Sequence, residues 1–310
     1  MPPWIVKAAI QGVLSRLPNS QAYNHLFQKH VTRSVDLTET YFLSKFRQCE
    51  RHLQELARES AGARPASFVA LELGTGWFPI VPIGLALGGA HRVYSVDTQR
   101  LISHARVLST LEHYLRCIET KKLQTPSADS ESRVRAAIEQ APRLSAEALL
   151  AELGVEPLVA DARALPLDAG SVDLICSNNT LEHIPRAVIV DILKEFRRVG
   201  SVSVLMSHHI DLADHYANFD KSISVYNFLK YSERTWRLFN NELQYQNRLR
   251  VSDFRAIHAE AGWQVLQELN TRKPEEVLKA IRLADEFKRY SVEDLLVYDS
   301  WFSSRPKAVD

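Results

Sequence analysis

The stretch FVALELGTG, residues 68–76, constrains this chain more than any other. Phe68-Val69-Ala70-Leu71 is short, apolar and β-prone, which suits a strand buried on both faces of a parallel sheet better than a turn of helix. The run ends in an acid, Glu72, and passes through Leu73 into Gly74-Thr75-Gly76 before Trp77, Phe78 and Pro79 break the pattern. Glycines admit positive φ and let a ligand approach the main chain, and a following helix presents unpaired N–H groups. The sequence therefore predicts a strand, a glycine turn with a ligand against it, and a helix.

Strands and helices alternate around this unit. Strands are predicted at 67–72, 92–97, 157–161, 172–177 and 202–207, with helices at 78–88, 98–118 and from Pro185 to Val199. A strand followed by a crossover helix implies a parallel sheet with both faces covered. Thr38-Glu39-Thr40 precedes a periodic helical segment from Tyr41 to Leu56. Residues 119–155 are polar at first and then helical around Ala146–Leu153. Near the end, Ser252 is a plausible N-cap before Asp253–Ala261 and Gly262 a helix stop. Trp263–Leu269 and Leu295–Phe302 read as two late strands that pair antiparallel at a sheet edge, with a helix from Pro274 to about Tyr290 between them.

The 310 residues are 45% hydrophobic and 24% charged, within the ordinary globular range. Thirty-eight Lys plus Arg against 37 Asp plus Glu leave a net charge of +1, so no global field draws a nucleic-acid backbone. Cys49, Cys117 and Cys176 form no CxxC pair, which argues against a zinc site or a disulfide framework and fits a reducing compartment; a cytoplasmic location is expected. The first residues lack the pattern of a cleaved signal peptide, and no run approaches the ~20 apolar residues of a membrane span. Trp4, Ile5, Ala8, Ala9, Val13, Leu14 and Leu17 recur at helical spacing, which predicts a helix docked on the domain, with peripheral membrane contact through residues 1–17 as the alternative.

The ligand at the glycine turn follows from charge and shape. In a GxGxxG dinucleotide site the third glycine lets the helix lie close to the strand, with the diphosphate on the helix N-terminus. Here Pro79 occupies that position, and pyrophosphate is a poor fit. The Glu72 carboxylate is hostile to phosphate at close range and favourable to an ammonium. A nucleoside with a positive centre and no phosphate suits the turn, which points to S-adenosylmethionine. Glu72-Leu73-Gly74-Thr75-Gly76 resembles motif I of the class I S-adenosylmethionine-dependent methyltransferases, (D/E)xGxGxG, with Phe78 standing where that form has its third glycine. Val93-Tyr94-Ser95-Val96-Asp97 is a strand ending in an acid about 20 residues on, where a carboxylate meets ribose hydroxyls. Asp97 could otherwise cap the helix beginning at Thr98. LVADARALPLDAGSVDLICSNNTLEHI, residues 158–184, is similar to the family's next two motifs, and VSDFRAIHAEAGWQVLQEL to its late helix-Gly-strand unit.

The resemblance implies an α/β fold: a Rossmann-like, seven-stranded doubly wound sheet with an antiparallel edge strand. An N-terminal helical cap would span 1–64 and the methyltransferase domain 65–310, carrying a helical insertion at 119–155 and an acceptor-binding lid at 208–250. The cofactor would be S-adenosylmethionine, held by Glu72, Gly74, Thr75, Gly76, Asp97 and Thr98. Asp161 and Ala162 would meet adenine, Asn178 and Asn179 would lie beneath the methionine moiety, and His183 would close the segment.

Acceptor chemistry is expected beyond those motifs, near the carboxyl ends of the fourth and fifth strands. His208, His209, Asp211, Asp214, His215, Tyr216 and Asp220 crowd SHHIDLADHYANFDKS, read as a loop after the fifth strand. A histidine with a carboxylate partner is the usual way to hold a general base in the needed tautomer. His208 or His209 is the expected base and His215 the third candidate; Asp211 and His215 would share a helix face. No metal is expected, since the spacing matches no familiar site. Tyr226, Phe228, Tyr231, Trp236, Phe239 and Tyr245 could form an acceptor pocket or the core of a lid, and Arg234, Arg237, Arg248 and Arg250 could hold an anionic acceptor. The expected reaction is O-methylation of a small molecule, a sugar or an aromatic metabolite, with a histidine general base and no nucleic acid as partner. N-methylation comes next, followed by a cofactor-binding protein without turnover, a cyclase or a decarboxylase on the same fold. Pro79 disfavours a nicotinamide oxidoreductase.

Overall fold

A computed structural model describes residues 3–15, 37–60, 62, 65, 67–123, 129–241, 243 and 245–308. The elements used below are α1 (Pro3–Leu14), α2 (Glu39–Glu59), β1 (Phe68–Leu73), α3 (Ile80–Leu87), β2 (Ala90–Asp97), α4 (His104–Glu119), α5 (Ser130–Gln140), α6 (Ala146–Ala151), β3 (Val155–Val159), β4 (Val172–Asn178), α7 (Arg186–Val199), β5 (Gly200–Asp211), α8 (Val251–Glu260), β6 (Trp263–Arg272) and β7 (Val297–Pro306). The seven strands form one sheet in the order β3-β2-β1-β4-β5-β7-β6. β1 to β5 pair in parallel, and β7 runs antiparallel between β5 and β6. The order reverses at β1 and β4, which opens a crevice beyond their carboxyl ends.

Period-two alternation splits the core into two layers. Phe68, Ala70, Val93, Leu174, Cys176 and Leu205 face α2, α3 and α4. Leu71, Val96, Ile175, Val204 and Met206 face α7 and α8, whose contributions include Leu193, Phe196, Phe254 and Ile257. α5 and α6, within the stretch read as an insertion, add Val134, Ala137, Leu149 and Leu150 to the first layer.

Thr38 caps α2, its hydroxyl accepting from the Tyr41 amide at 3.2 Å. Phe42, Phe46, Cys49, Leu53 and Leu56 then form one buried stripe. α2 meets α3 closely at Gly84, where an added methyl would lie 2.7 Å from both Cys49 Sγ and Tyr114 Oη. α8 begins before Ser252: the Arg250 amide donates to Asp253 Oδ2 at 2.8 Å, while the Ser252 hydroxyl turns to Asp294. The capping role thus goes to the acid inside the first turn.

α1 docks through Trp4, whose ring lies 5.3 Å from Tyr216, 5.7 Å from Tyr231 and 5.0 Å from Phe239. The helix presents Val6, Ile10 and Val13 outward; Leu17 lies outside the described residues. No helix among the described residues is long and apolar enough to cross a membrane.

Candidate active site

The turn after β1 holds Gly74 at φ +80° and Gly76 at φ +71°, in the left-handed region that glycine enters without strain. Any side chain at Gly74 would collide with Thr180, the residue that follows β4 and Asn179. The Thr75 hydroxyl donates to Glu72 Oε2 at 2.8 Å and meets the Ser95 hydroxyl at 2.6 Å. Asp97, at the end of β2, accepts from the Gly76 amide at 3.1 Å and the Gln99 amide at 3.2 Å. Two cavities of about 830 and 770 Å³ meet at this turn, sharing Gly74, Gly76, Asp97, Thr98, Asn179 and His183. Glu72, Thr75 and Asn178 border the first; Asp161 and Ala162 border the second. All eleven residues that the resemblance assigns to the cofactor therefore lie around one continuous trough. Asp161 is gripped by the Arg163 guanidinium, 2.5 Å away, which together with the Arg163 amide holds its carboxyl down to about 2.

Glu72 is buried, and desolvation pushes its carboxyl up to about 7 against the opposing pull of Thr75 and Lys45. A raised folded-state value in an acid means that its contribution to stability is complete below the ordinary value of about 4.5 and is lost as pH rises through about 7. Two to three units correspond to roughly 3 kcal/mol. Glu72→Gln is therefore expected to raise the stability of the ligand-free chain at pH 8.5 by roughly 1–3 kcal/mol, with little effect at pH 4.5. The same variant loses the anion that attracts an ammonium and should bind S-adenosylhomocysteine more weakly. Urea unfolding at the two pH values, with calorimetric titration, checks both signs.

The acceptor side is set by the length of β5. Residues 207–211 are not a loop: Ser207, His208 and His209 pair with both β4 and β7, and the antiparallel ladder to β7 carries Ile210 and Asp211 past the point where β4 ends, Asp211 opposite Asp299. Alternation then sorts the side chains. His208 points into the layer of α7 and α8, fully buried, 2.8 Å from the Ser177 hydroxyl and stacked near Phe196. Burial holds it well below the ordinary histidine value, and it borders neither cavity. His209 faces α2 but is braced on both sides, Nδ1 3.0 Å from Gln48 Nε2 and Nε2 2.6 Å from Asp299.

Asp211 and His215 do border the larger cavity, with 3.3 Å between Asp211 Oδ2 and His215 Nε2. His215 is the N-cap of a single helical turn, Tyr216–Phe219, so the pair meets across the strand end rather than on a helix. Burial lowers the His215 imidazole, and the Asp211 bond more than offsets this, leaving it raised. Burial raises Asp211, and His215 reverses that too.

Several lining residues escaped the sequence reading. α2 supplies Tyr41, Lys45 and Gln48; Lys45 Nζ donates to Asn179 Oδ1 at 3.1 Å, and desolvation lowers its ammonium. His52, one turn on, lies 3.2 Å from Asn178 Oδ1 and 2.8 Å from Ser207. Tyr41, Lys45, Gln48 and His52 recur at helical spacing beside the apolar stripe, a polar seam visible in the sequence whose destination was not. Lys7 of α1 also reaches the cavity. Glu182 is 1% exposed, neither carboxylate oxygen has a hydrogen-bond partner, and burial pushes it to about 8.

The aromatic residues divide unequally. Tyr226, Phe228 and Trp236 are buried against one another and against Trp4, and only Tyr245 of the six borders the cavity. The arginines are also structural. Arg248 pairs with Glu233 and Glu286 at 2.8 Å each, and the buried Arg250 donates to the carbonyls of Leu212 and Val297. Arg237 pairs with Glu233 at 3.1 Å, and Arg234 lies exposed on the outer surface.

Residues 133–201 match the family model described as a methyltransferase domain. No curated protein matches the chain. Among solved structures, geranyl diphosphate C-methyltransferase from Streptomyces coelicolor, determined with Mg2+, geranyl diphosphate and S-adenosyl-L-homocysteine, is similar at 10% identity and a TM-score of 0.43, over 86% of this chain and 84% of that one. A methyltransferase from Methanosarcina mazei is 11% identical at a TM-score of 0.44, over 79% and 95%. A third, from Clostridium acetobutylicum, is 9% identical at 0.45, over 93% and 99%.

Proposed function

We propose that this chain is a class I S-adenosylmethionine-dependent methyltransferase that O-methylates a small molecule or sugar, with the Asp211–His215 pair accepting the hydroxyl proton. The single observation that carries the reading is the position of that pair: it opens into the same cavity as Glu72, Gly74 and Gly76. S-adenosylmethionine supplies a methyl group on a sulfonium, already activated by its charge. The glycine turn fits it, since Gly76 borders both cavities with open space where a side chain would stand and so offers bare backbone to a ligand.

What remains for the protein is to align an oxygen and remove its proton. Alignment supplies up to ~7–11 kcal/mol in well-oriented intramolecular reactions. His215 takes the proton, and the Asp211 carboxylate 3.3 Å from its Nε2 stabilises the imidazolium that forms. The polar lining from Lys7, Tyr41, Lys45, Gln48 and Asn218 suits an acceptor rich in hydrogen-bonding groups.

Incubation with S-adenosylmethionine and a panel of hydroxylated and amine-bearing small molecules tests the reading by product mass and fragmentation. The expected product gains one methyl on oxygen. Methylation confined to the amines would overturn the oxygen assignment, and cofactor consumption without any methylated product would overturn the transfer itself.

A further inference from the structure

We infer that Glu182, His183 and His215 form a binding site for one divalent first-row transition-metal ion at the acceptor end of the cleft. The inference rests on the reading of this cleft as the acceptor site. One ligand atom from each residue lies within 4.8 Å of the other two, although the strand β5 separates them in sequence. Ligands sharing an ion at ~2.0–2.2 Å stand ~3–3.5 Å apart, so a side-chain adjustment of about an ångström closes the set.

Two further features point the same way. A carboxylate that is 1% exposed with no donor on either oxygen is costly, and a cation is the partner that would satisfy both. His183 Nδ1 lies 2.7 Å from the Tyr245 carbonyl, so Nδ1–H donates there and Nε2 keeps its lone pair. That outward anchoring of one ring nitrogen is what orients metal-bound imidazoles in general. His215 Nε2 is buried with no hydrogen-bond partner, and Asp211 Oδ2 lies 3.3 Å from it.

Two imidazoles and one carboxylate favour manganese, iron, cobalt, nickel or zinc over magnesium or calcium, which prefer all-oxygen sets. Three protein ligands leave positions open on the cavity side, where an acceptor oxygen would be held and oriented. An ion there would take the lone pair that His215 otherwise offers the acceptor proton, so ion binding and proton acceptance at His215 are alternatives.

The test is a titration of the purified full-length chain, without acceptor, with Co2+ read by visible absorption. One equivalent is expected to give ligand-field bands, and equimolar Mg2+ should leave them unchanged. Glu182→Gln and His215→Gln should each weaken Co2+ by ~100-fold or more while S-adenosylhomocysteine still binds, which shows that the variants are folded. Absence of a one-to-one spectrum in the wild type, or equal affinity in both variants, would overturn the metal site. Failure of the wild type to bind S-adenosylhomocysteine would instead remove the methyltransferase reading, leaving the Co2+ result to stand by itself.

Discussion

Replacing His215 with glutamine is expected to lower kcat by ~10²–10⁴-fold, the range over which a positioned base acts. Glutamine keeps a polar end beside Asp211 but cannot take a proton near neutral pH. The cofactor loop is untouched, so binding of S-adenosylhomocysteine should stay within about threefold, since sites without shared partners behave additively. Steady-state kinetics with saturating cofactor checks the first number and calorimetry the second. The same change at His208 should act differently. His208 packs between Ser177 and Phe196 in the core, so its loss lowers the unfolding midpoint and leaves the turnover of the folded fraction alone. Full activity in the His215 variant would remove the pair from the chemistry.

The second large effect is expected at Asp97. Its carboxylate sits at the end of β2 on the shared wall of the two cavities, where the hydroxyls of a ribose would be met. Hydrogen bonds to a charged group are worth ~1.5–3 kcal/mol each, so losing two predicts a dissociation constant for S-adenosylhomocysteine raised ~10²–10⁴-fold in Asp97→Ala. Asp97 also fixes the Gly76 amide at 3.1 Å, so part of the loss is looser positioning of the turn. Asp97→Asn, which keeps the size and one acceptor, should fall between. A change below about threefold in the alanine variant would place the ribose elsewhere, since even one charged hydrogen bond exceeds that.

The trough at the glycine turn was legible because its information is local. A short apolar run, an acid and two glycines dictate a strand and a left-handed turn within nine residues, and the fold places Glu72, Gly74, Gly76 and Asp97 on one trough. The acceptor side was not, because nonlocal pairing decides it. Nothing between Ser207 and Asp211 announces that β7, some ninety residues later, will flank them and carry the strand on through Ile210 and Asp211. Strand alternation sends His208 into the core, and the extension carries Asp211 to the cavity. The polar seam of α2 was equally visible and equally silent, since amphipathicity identifies the buried face of a helix without saying what its flank will touch. Glu182 gave no signal of its own; an unpartnered buried carboxylate is a property of the assembled chain.

The sheet order has a consequence for how the molecule is made. On the ribosome β6 emerges before β7, yet β7 is the strand that joins it to β5. Until β7 arrives, β6 has no neighbour and the outer edge of β5 stands open, a template for pairing with other nascent chains. The cofactor trough draws its strands from the earlier part of the chain, whereas Asp211 waits for Asp299 and Arg250 waits for the Val297 carbonyl. A polypeptide released before residue 297 would carry the trough at the glycine turn with the Asp211 end of the cleft unfinished and adhesive.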